Sequence, residues 1–219
     1  MNFAQARFNM VEQQIRPWSV LDDTVLQTME SIPRDIFVPE SLKTLAYADI
    51  ETPLAHGESM MFPRVEGRML QELELDINDE CLEIGTGSGY VTACMATMAR
   101  HVDSIDIHDD FLHQAKDKLA EVNISNVFLE NRNALTGLSA TPSAAKYDAI
   151  AVTGSMPEYI PLFENLLKLN GRLFIVIGTH HTMHAMKIIR TENGFERSSL
   201  FETTLKPLEG VQIKKQFSF

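Results

Sequence analysis

Positive charge is scarce in this chain: 19 Lys and Arg stand against 30 Asp and Glu, a formal net charge of −11. Nucleic acid is therefore not expected as a main partner, because phosphate binding needs a basic face. Cysteine is scarce too. Cys81 and Cys94 are too few for a disulfide scaffold and read as buried thiols in a reducing compartment. No apolar run reaches the length of a membrane span. The opening residues, Met1 to Arg7, lack the apolar stretch of a signal peptide, so a cytoplasmic location is expected, away from membranes. Repeats, linkers and low-complexity segments are missing as well. What remains is 44% hydrophobic residues over 219 positions, enough for one soluble domain with one core.

The first third of the chain reads as helical. Phe3, Ala6, Met10, Val11 and Ile15 recur at helical spacing over residues 3–15, up to Pro17. Asp22 or Asp23 can cap a second helix ending near Pro33. A short helix is expected from Pro39 or Glu40, then an irregular stretch over 47–63 that includes a short hairpin and lies across a cleft. Another helix spans 64–74. From residue 80 the pattern alternates. Strands are expected near 80–84, 102–107, 126–130, 147–153 and 172–178, and helices near 89–99, 109–121, 158–167 and 182–190. Residues 198–205 read as a hairpin arm or edge strand. Such alternation predicts an α/β fold with a parallel, doubly wound sheet. The division expected is a helical extension with an acceptor loop over 1–75 and a core over 76–219, together one domain.

The chemistry centres on Glu83-Ile84-Gly85-Thr86-Gly87-Ser88-Gly89-Tyr90. Glycines there permit positive φ and let a ligand approach bare backbone, and the following helix offers its free N–H groups. A phosphate loop needs Lys and Ser/Thr after its last glycine, and this chain has Tyr90-Val91. The dinucleotide fingerprint needs its third glycine one residue later. A nucleoside without a pyrophosphate fits better. Asp106, 17 residues beyond Gly89 at the end of the next predicted strand, can accept both hydroxyls of a ribose, as an acid one βαβ unit on does in nucleotide folds. Asn133 and Thr153 fall at the ends of later strands, and ligands in such sheets sit beyond those ends.

The E-x-G-x-G-x-G pattern resembles motif I of the class I S-adenosylmethionine methyltransferases, a Rossmann-like fold. More widely, residues 8–210 resemble the protein-L-isoaspartate (D-aspartate) O-methyltransferases. The resemblance rests on Met10-Val11-Glu12-Gln13-Gln14-Ile15-Arg16-Pro17, Pro33-Arg34-Asp35-Ile36-Phe37-Val38-Pro39, Ala46-Tyr47-Ala48-Asp49, the motif I segment through Ala93, Tyr147 to Thr153, Gly171-Arg172-Leu173 with Gly178, and Pro207-Leu208. It implies methyl transfer from S-adenosylmethionine, with S-adenosylhomocysteine as product, to the α-carboxyl of an isoaspartyl residue in a damaged protein or peptide. It also implies a cofactor site at Glu83, Gly85, Thr86, Gly87, Ser88, Gly89, Asp106, Ile107, Asn133, Ala134 and Thr153. No metal is implied, and a monomer or homodimer is expected.

The acceptor segment departs from the family pattern Thr-Ile-Ser-x-Pro. Here Gly57-Glu58-Ser59-Met60-Met61-Phe62-Pro63 puts Ser59 at the Thr position and Met61 at the position of the Ser that contacts the acceptor. A thioether cannot donate to a carboxylate, and Glu58 adds negative charge beside an anionic acceptor. Arg132-Asn133-Ala134 replaces Gly-Asp-Gly, leaving the Asn133 carbonyl oxygen to accept from an adenine amine. Two rival readings follow: a methyltransferase of the same fold with an unknown small-molecule acceptor, or an S-adenosylmethionine-binding protein without isoaspartyl activity. His56 is a candidate base toward a hydroxyl or amine acceptor. His180 and His184 stand at helical spacing, and Lys214 and Lys215 near the end read as solvated.

Overall fold

The computed structural model describes residues 2–138, 145–179 and 182–211. Four helices precede the sheet: α1 (Phe3–Met10), α2 (Asp23–Ser31), α3 (Arg34–Phe37) and α4 (Pro63–Leu73). The backbone remains helical past α1, through a wide turn at Val11–Ile15 and a tight one at Arg16–Trp18, until Ser19 turns left-handed at φ 62°. Asp22 caps α2, its Oδ1 accepting from the amides of Thr24 and Val25 at 2.8 and 3.2 Å. A tight helical stretch covers Glu40–Leu45. The expected hairpin forms from β1 (Thr52–Pro53) and β2 (Ser59–Met60), with Thr52 opposite Met60.

The main sheet contains β3 (Glu80–Ile84), β4 (His101–Asp106), β5 (Val127–Asn131), β6 (Tyr147–Met156), β7 (Leu167–Thr179), β8 (Thr182–Thr191) and β9 (Gly194–Thr203). Its order is β5-β4-β3-β6-β7-β8-β9. The first five of these run parallel, and β8 and β9 add antiparallel at one edge. Helices α5 (Tyr90–Met98) and α6 (Asp109–Glu121) make the crossovers from β3 to β4 and from β4 to β5, and α7 is one turn at Ala134–Gly137. Strand β3 lies centrally and the chain leaves it in both directions, so its carboxyl end is a switch point.

The two faces of the sheet sort the side chains with period two. Cys81, Ala149, Ala151, Phe174 and Val176 face a core shared with Met10, Ile15, Met29, Leu70 and Cys94. Leu82, Ile84, Ile150, Val152, Leu173 and Ile175 face a second core closed by Phe163, Leu166 and Ile188. The N-terminal helices therefore bury their apolar faces in the same core as motif I. Cys81 and Cys94 are free and buried.

Two expected helices are corrected. Residues 158–167 hold only a tight turn at Glu164–Leu166. Pro161 removes a backbone donor in mid-segment, and β7 already begins at Leu167. Residues 182–190 belong to β8, a strand. Met183, Ala185 and Lys187 are buried in alternation, and β8 pairs with β7 from Thr182↔Thr179 to Ile189↔Arg172. His184 is thus on a strand and not on the expected helix. His180, His181, Lys214 and Lys215 lie outside the described residues.

Candidate active site

A solvent-open cleft lies beyond the carboxyl ends of β3, β4 and β6, where ligands of such sheets sit. Its floor is the turn after β3. Gly85, Gly87 and Gly89 take φ of 99°, 50° and 85°, a region that side chains with a Cβ rarely occupy. A Cβ on Gly85 would sit 2.2 Å from Thr153 Oγ1. The Thr153 hydroxyl lies 2.9 Å from the carbonyl of Ile84 and 2.7 Å from that of Gly85, tying β6 to the turn.

Glu83 closes the inner end and is fully buried. Its Oε2 accepts from Ser104 Oγ at 2.6 Å and from Thr92 Oγ1, and Thr86 Oγ1 lies 2.6 Å from Ser104 Oγ. Its Oε1 is buried without a partner. Burial pushes the carboxyl up to about 8, against the two hydroxyl donors. A buried acceptor without a donor is costly; a cationic group in the cleft would satisfy it. Asp106, at the end of β4, accepts from the amides of Gly87 and His108, both at 2.9 Å, one on each oxygen. Burial raises its pKa as well, against these two donors. A carboxylate offers about four lone-pair sites, so both oxygens can still accept from a diol. Ile107, Ala134 and Leu135 add apolar wall. The donors, acceptors and bare backbone fit a cationic nucleoside.

Of the expected cofactor residues, Glu83, Gly85, Thr86, Gly87, Ser88, Asp106, Ile107, Asn133, Ala134 and Thr153 all line this cleft. Gly89 does not. Its missing Cβ would lie 2.9 Å from Ala115 Cβ, so this glycine lets α5 pack on α6. Asn133 Oδ1 accepts from Leu135 N at 2.9 Å as the cap of α7, leaving one lone pair of that oxygen for a ligand.

The other rim is the 54–61 segment. Ser59, Met60 and Met61 line the cleft, and Met61 is also 4% exposed core. Its carbonyl accepts from Arg34 Nη2 at 3.1 Å. Arg34 Nη1 bonds Glu66 Oε1 and Oε2 at 2.8 and 2.6 Å, and the guanidinium lies 4.8 Å from the Tyr90 ring centroid. One buried ion pair therefore joins α3, α4, the acceptor segment and motif I. His56, the candidate base, is not among the residues lining the cleft, and its Nε2 sits 2.9 and 3.0 Å from the Asp110 oxygens. Its ring stacks on His108 at 4.0 Å between centroids, so it clasps the acceptor loop to the turn after β4. Glu58 is not a bare charge, because Lys206 Nζ binds its carboxylate and donates to the Gly57 carbonyl at 2.7 Å. Sequence reasoning missed Arg34, Glu66, His108 and Lys206 as parts of this site; only the Pro33-Arg34 motif signalled any of them.

A mostly parallel sheet, a glycine turn at its switch point and an acid one strand on define the class I methyltransferase architecture. The sequence matches the family described as "Protein-L-isoaspartate(D-aspartate) O-methyltransferase" over residues 5–209. Relatives named protein-L-isoaspartate O-methyltransferase include one from Opitutus terrae, 36% identical over 86% of this chain and 79% of its own length. Another, from Methanoculleus marisnigri, is 35% identical over 93% of this chain and 91% of its own length. A Plasmodium falciparum structure assigned to the same enzymes and solved with S-adenosyl-L-homocysteine superposes with a TM-score of 0.80 at 22% identity, covering 95% of this chain and 99% of that one. The chain belongs to the protein-L-isoaspartate (D-aspartate) O-methyltransferase family.

Proposed function

We propose that this protein methylates the α-carboxyl of isoaspartyl residues in damaged proteins and peptides, using S-adenosylmethionine. The observation that carries the reading is the cleft. Orphaned Glu83 Oε1, the bare Gly85–Gly87 backbone and Asp106 converge there in a chain whose family match spans residues 5–209.

Glu83, Gly85, Thr86, Gly87 and Ser88 would hold the amino-acid end of the cofactor, and Asp106 the ribose hydroxyls. Ile107 and Ala134 would flank the base, with Asn133 toward its amine and Thr153 fixing the turn beneath. When bound, the cofactor supplies a methyl group on a positively charged sulfur. A carboxylate is already a competent nucleophile, so the residues of this chain act mainly by alignment and by removing water. Ser59 donates its hydroxyl to one carboxylate oxygen, leaving the other free. Met61 and Met60 supply an apolar wall that strips water from it. His56, held by Asp110, stays out of the reaction as a loop clasp.

Residues 1–219 would act as a single methyltransferase domain, as a monomer or homodimer. Among the described residues no helix is long and apolar enough to cross a membrane; we place the protein in the cytoplasm. The net charge of −11 supports a protein or peptide acceptor over nucleic acid. Incubation with tritiated S-adenosylmethionine and an isoaspartyl peptide tests the reading. Base-labile methyl esters that release methanol are expected; binding of S-adenosylhomocysteine with no ester formed would overturn the acceptor assignment.

A further inference from the structure

The cleft is rich in acid, yet the proposed acceptor is an anion. Glu58, Glu66, Glu83, Asp106 and Glu209 all line it, against Arg132 and Lys206 as the lysine and arginine side chains among the described lining residues. Arg132 is paired with Glu130 at 2.5 Å beside Asn133, on the side expected to hold the base. Lys206 stands over the acceptor segment. Its backbone is pinned to the end of β6. Ser155 N donates to the Lys206 carbonyl at 2.8 Å, Leu208 N to the Ser155 carbonyl at 2.9 Å, and Ser155 Oγ to the Leu205 carbonyl at 2.7 Å. Pro207 fixes φ at the next position, and Gly154 lets Leu208 sit where a Cβ would lie 2.6 Å away. The strap is rigid, so it delivers one ammonium to a defined place.

That ammonium has three N–H donors. One goes to the Gly57 carbonyl and one to Glu58. The side chain is 41% exposed, so the third can be offered to an incoming carboxylate. We propose that Lys206 anchors the carboxylate of the acceptor, and that Glu58 competes with it for the same ammonium. Resting on the methyl-transfer reading above, this assigns the acceptor's charge recognition to the C-terminal strap. It also accounts for Met61 at the former Ser position: a thioether gives a carboxylate nothing, whereas a lysine from the strap gives it a charge-assisted hydrogen bond. A hydrogen bond to one oxygen leaves the other free to attack.

The test is steady-state kinetics with a short peptide, amidated at its C-terminus, whose isoaspartyl carboxylate is its one carboxylate. Lys206→Met is expected to raise the peptide KM about tenfold or more, the loss expected for one charge-assisted hydrogen bond. Lys206→Arg keeps the charge and holds KM close to the parent value. Glu58→Gln lowers KM several-fold, because it frees the ammonium. The opposite signs discriminate: a pair that merely latches the 57–58 loop to the strap is broken by either change, and both would then shift KM the same way. A KM for Lys206→Met within twofold of the parent, or a rise in both variants, overturns the proposal. Absence of turnover in the parent overturns the methyl-transfer reading itself, and with it this inference, and that outcome is read before any variant is made.

Discussion

Replacing Arg34 with methionine would test how the acceptor segment is held. The guanidinium is 0% exposed and its partner Glu66 is 1% exposed, joined by two bonds of 2.8 and 2.6 Å. Burial raises the Glu66 pKa and Arg34 only partly offsets it. Without the arginine, Glu66 has no counter-ion and takes up a proton. From an ordinary carboxyl value of 4.5, keeping that proton at pH 7 costs two and a half pH units at about 1.4 kcal/mol each, or about 3.5 kcal/mol. This lies within the range of about 3–5 kcal/mol for stripping one partner from a buried pair. The sign of the pH dependence follows. The folded variant holds a proton that its unfolded chain releases above pH 4.5, so its stability deficit relative to the parent grows as pH rises above that value, on top of a pH-independent loss of the Met61 and Tyr90 contacts. Urea denaturation of parent and variant at several pH values between 4.5 and 7 measures both. Arg34→Met with Glu66→Leu removes the charge altogether and is expected to recover most of the loss at pH 7. A deficit below about 1 kcal/mol at pH 7, or one that does not change with pH, would refute the reasoning from buried charge.

Glu83 gives a second pH dependence, of opposite use. With its pKa near 8 it is mostly protonated at pH 7 and must ionise to pair with an ammonium, so S-adenosylhomocysteine should bind about tenfold more weakly at pH 6 than at pH 7. Calorimetric titration should show that dependence shrink below twofold in Glu83→Gln; an unchanged slope would remove Glu83 from the binding reaction. Gly89→Ala combines a φ of 85° with a Cβ 2.9 Å from Ala115, so α5 and α6 must part. A loss of about 1–3 kcal/mol is expected in denaturation, and a neutral or stabilising result would contradict the close-packing role.

The boundary between what was legible in the sequence and what was not follows interaction range. Asp22, Pro33 and Gly85 to Gly89 act on their own backbone, so caps, stops and the motif I turn could be read locally. The face-sorting of Cys81 and Leu82 or Ile150 and Ala151 follows from period two alone. Residues 182–190 suit both periods: Met183, Met186 and Ile189 satisfy a helical spacing, while Met183, Ala185 and Lys187 satisfy a strand's. Pairing with β7 decides between them, and that partner is a tertiary fact. The same holds for residues 158–167, where the apolar Ile160, Phe163 and Leu166 suit a helix but serve to cover the second face of the sheet as a turn.

The site divides in the same way. By itself the sequence marked the bare backbone after β3 and the carboxylate after β4 as the expected place for a nucleoside, because both lie within one βαβ unit whose geometry is stereotyped. Only the tertiary structure decided which charges meet around the cleft. Glu58 meets Lys206 across 148 residues and Arg34 meets Glu66 across 32, and His56 is turned away by Asp110. Charge pairing depends on distance in space, and no spacing along the chain encodes it until the sheet has brought its ends together.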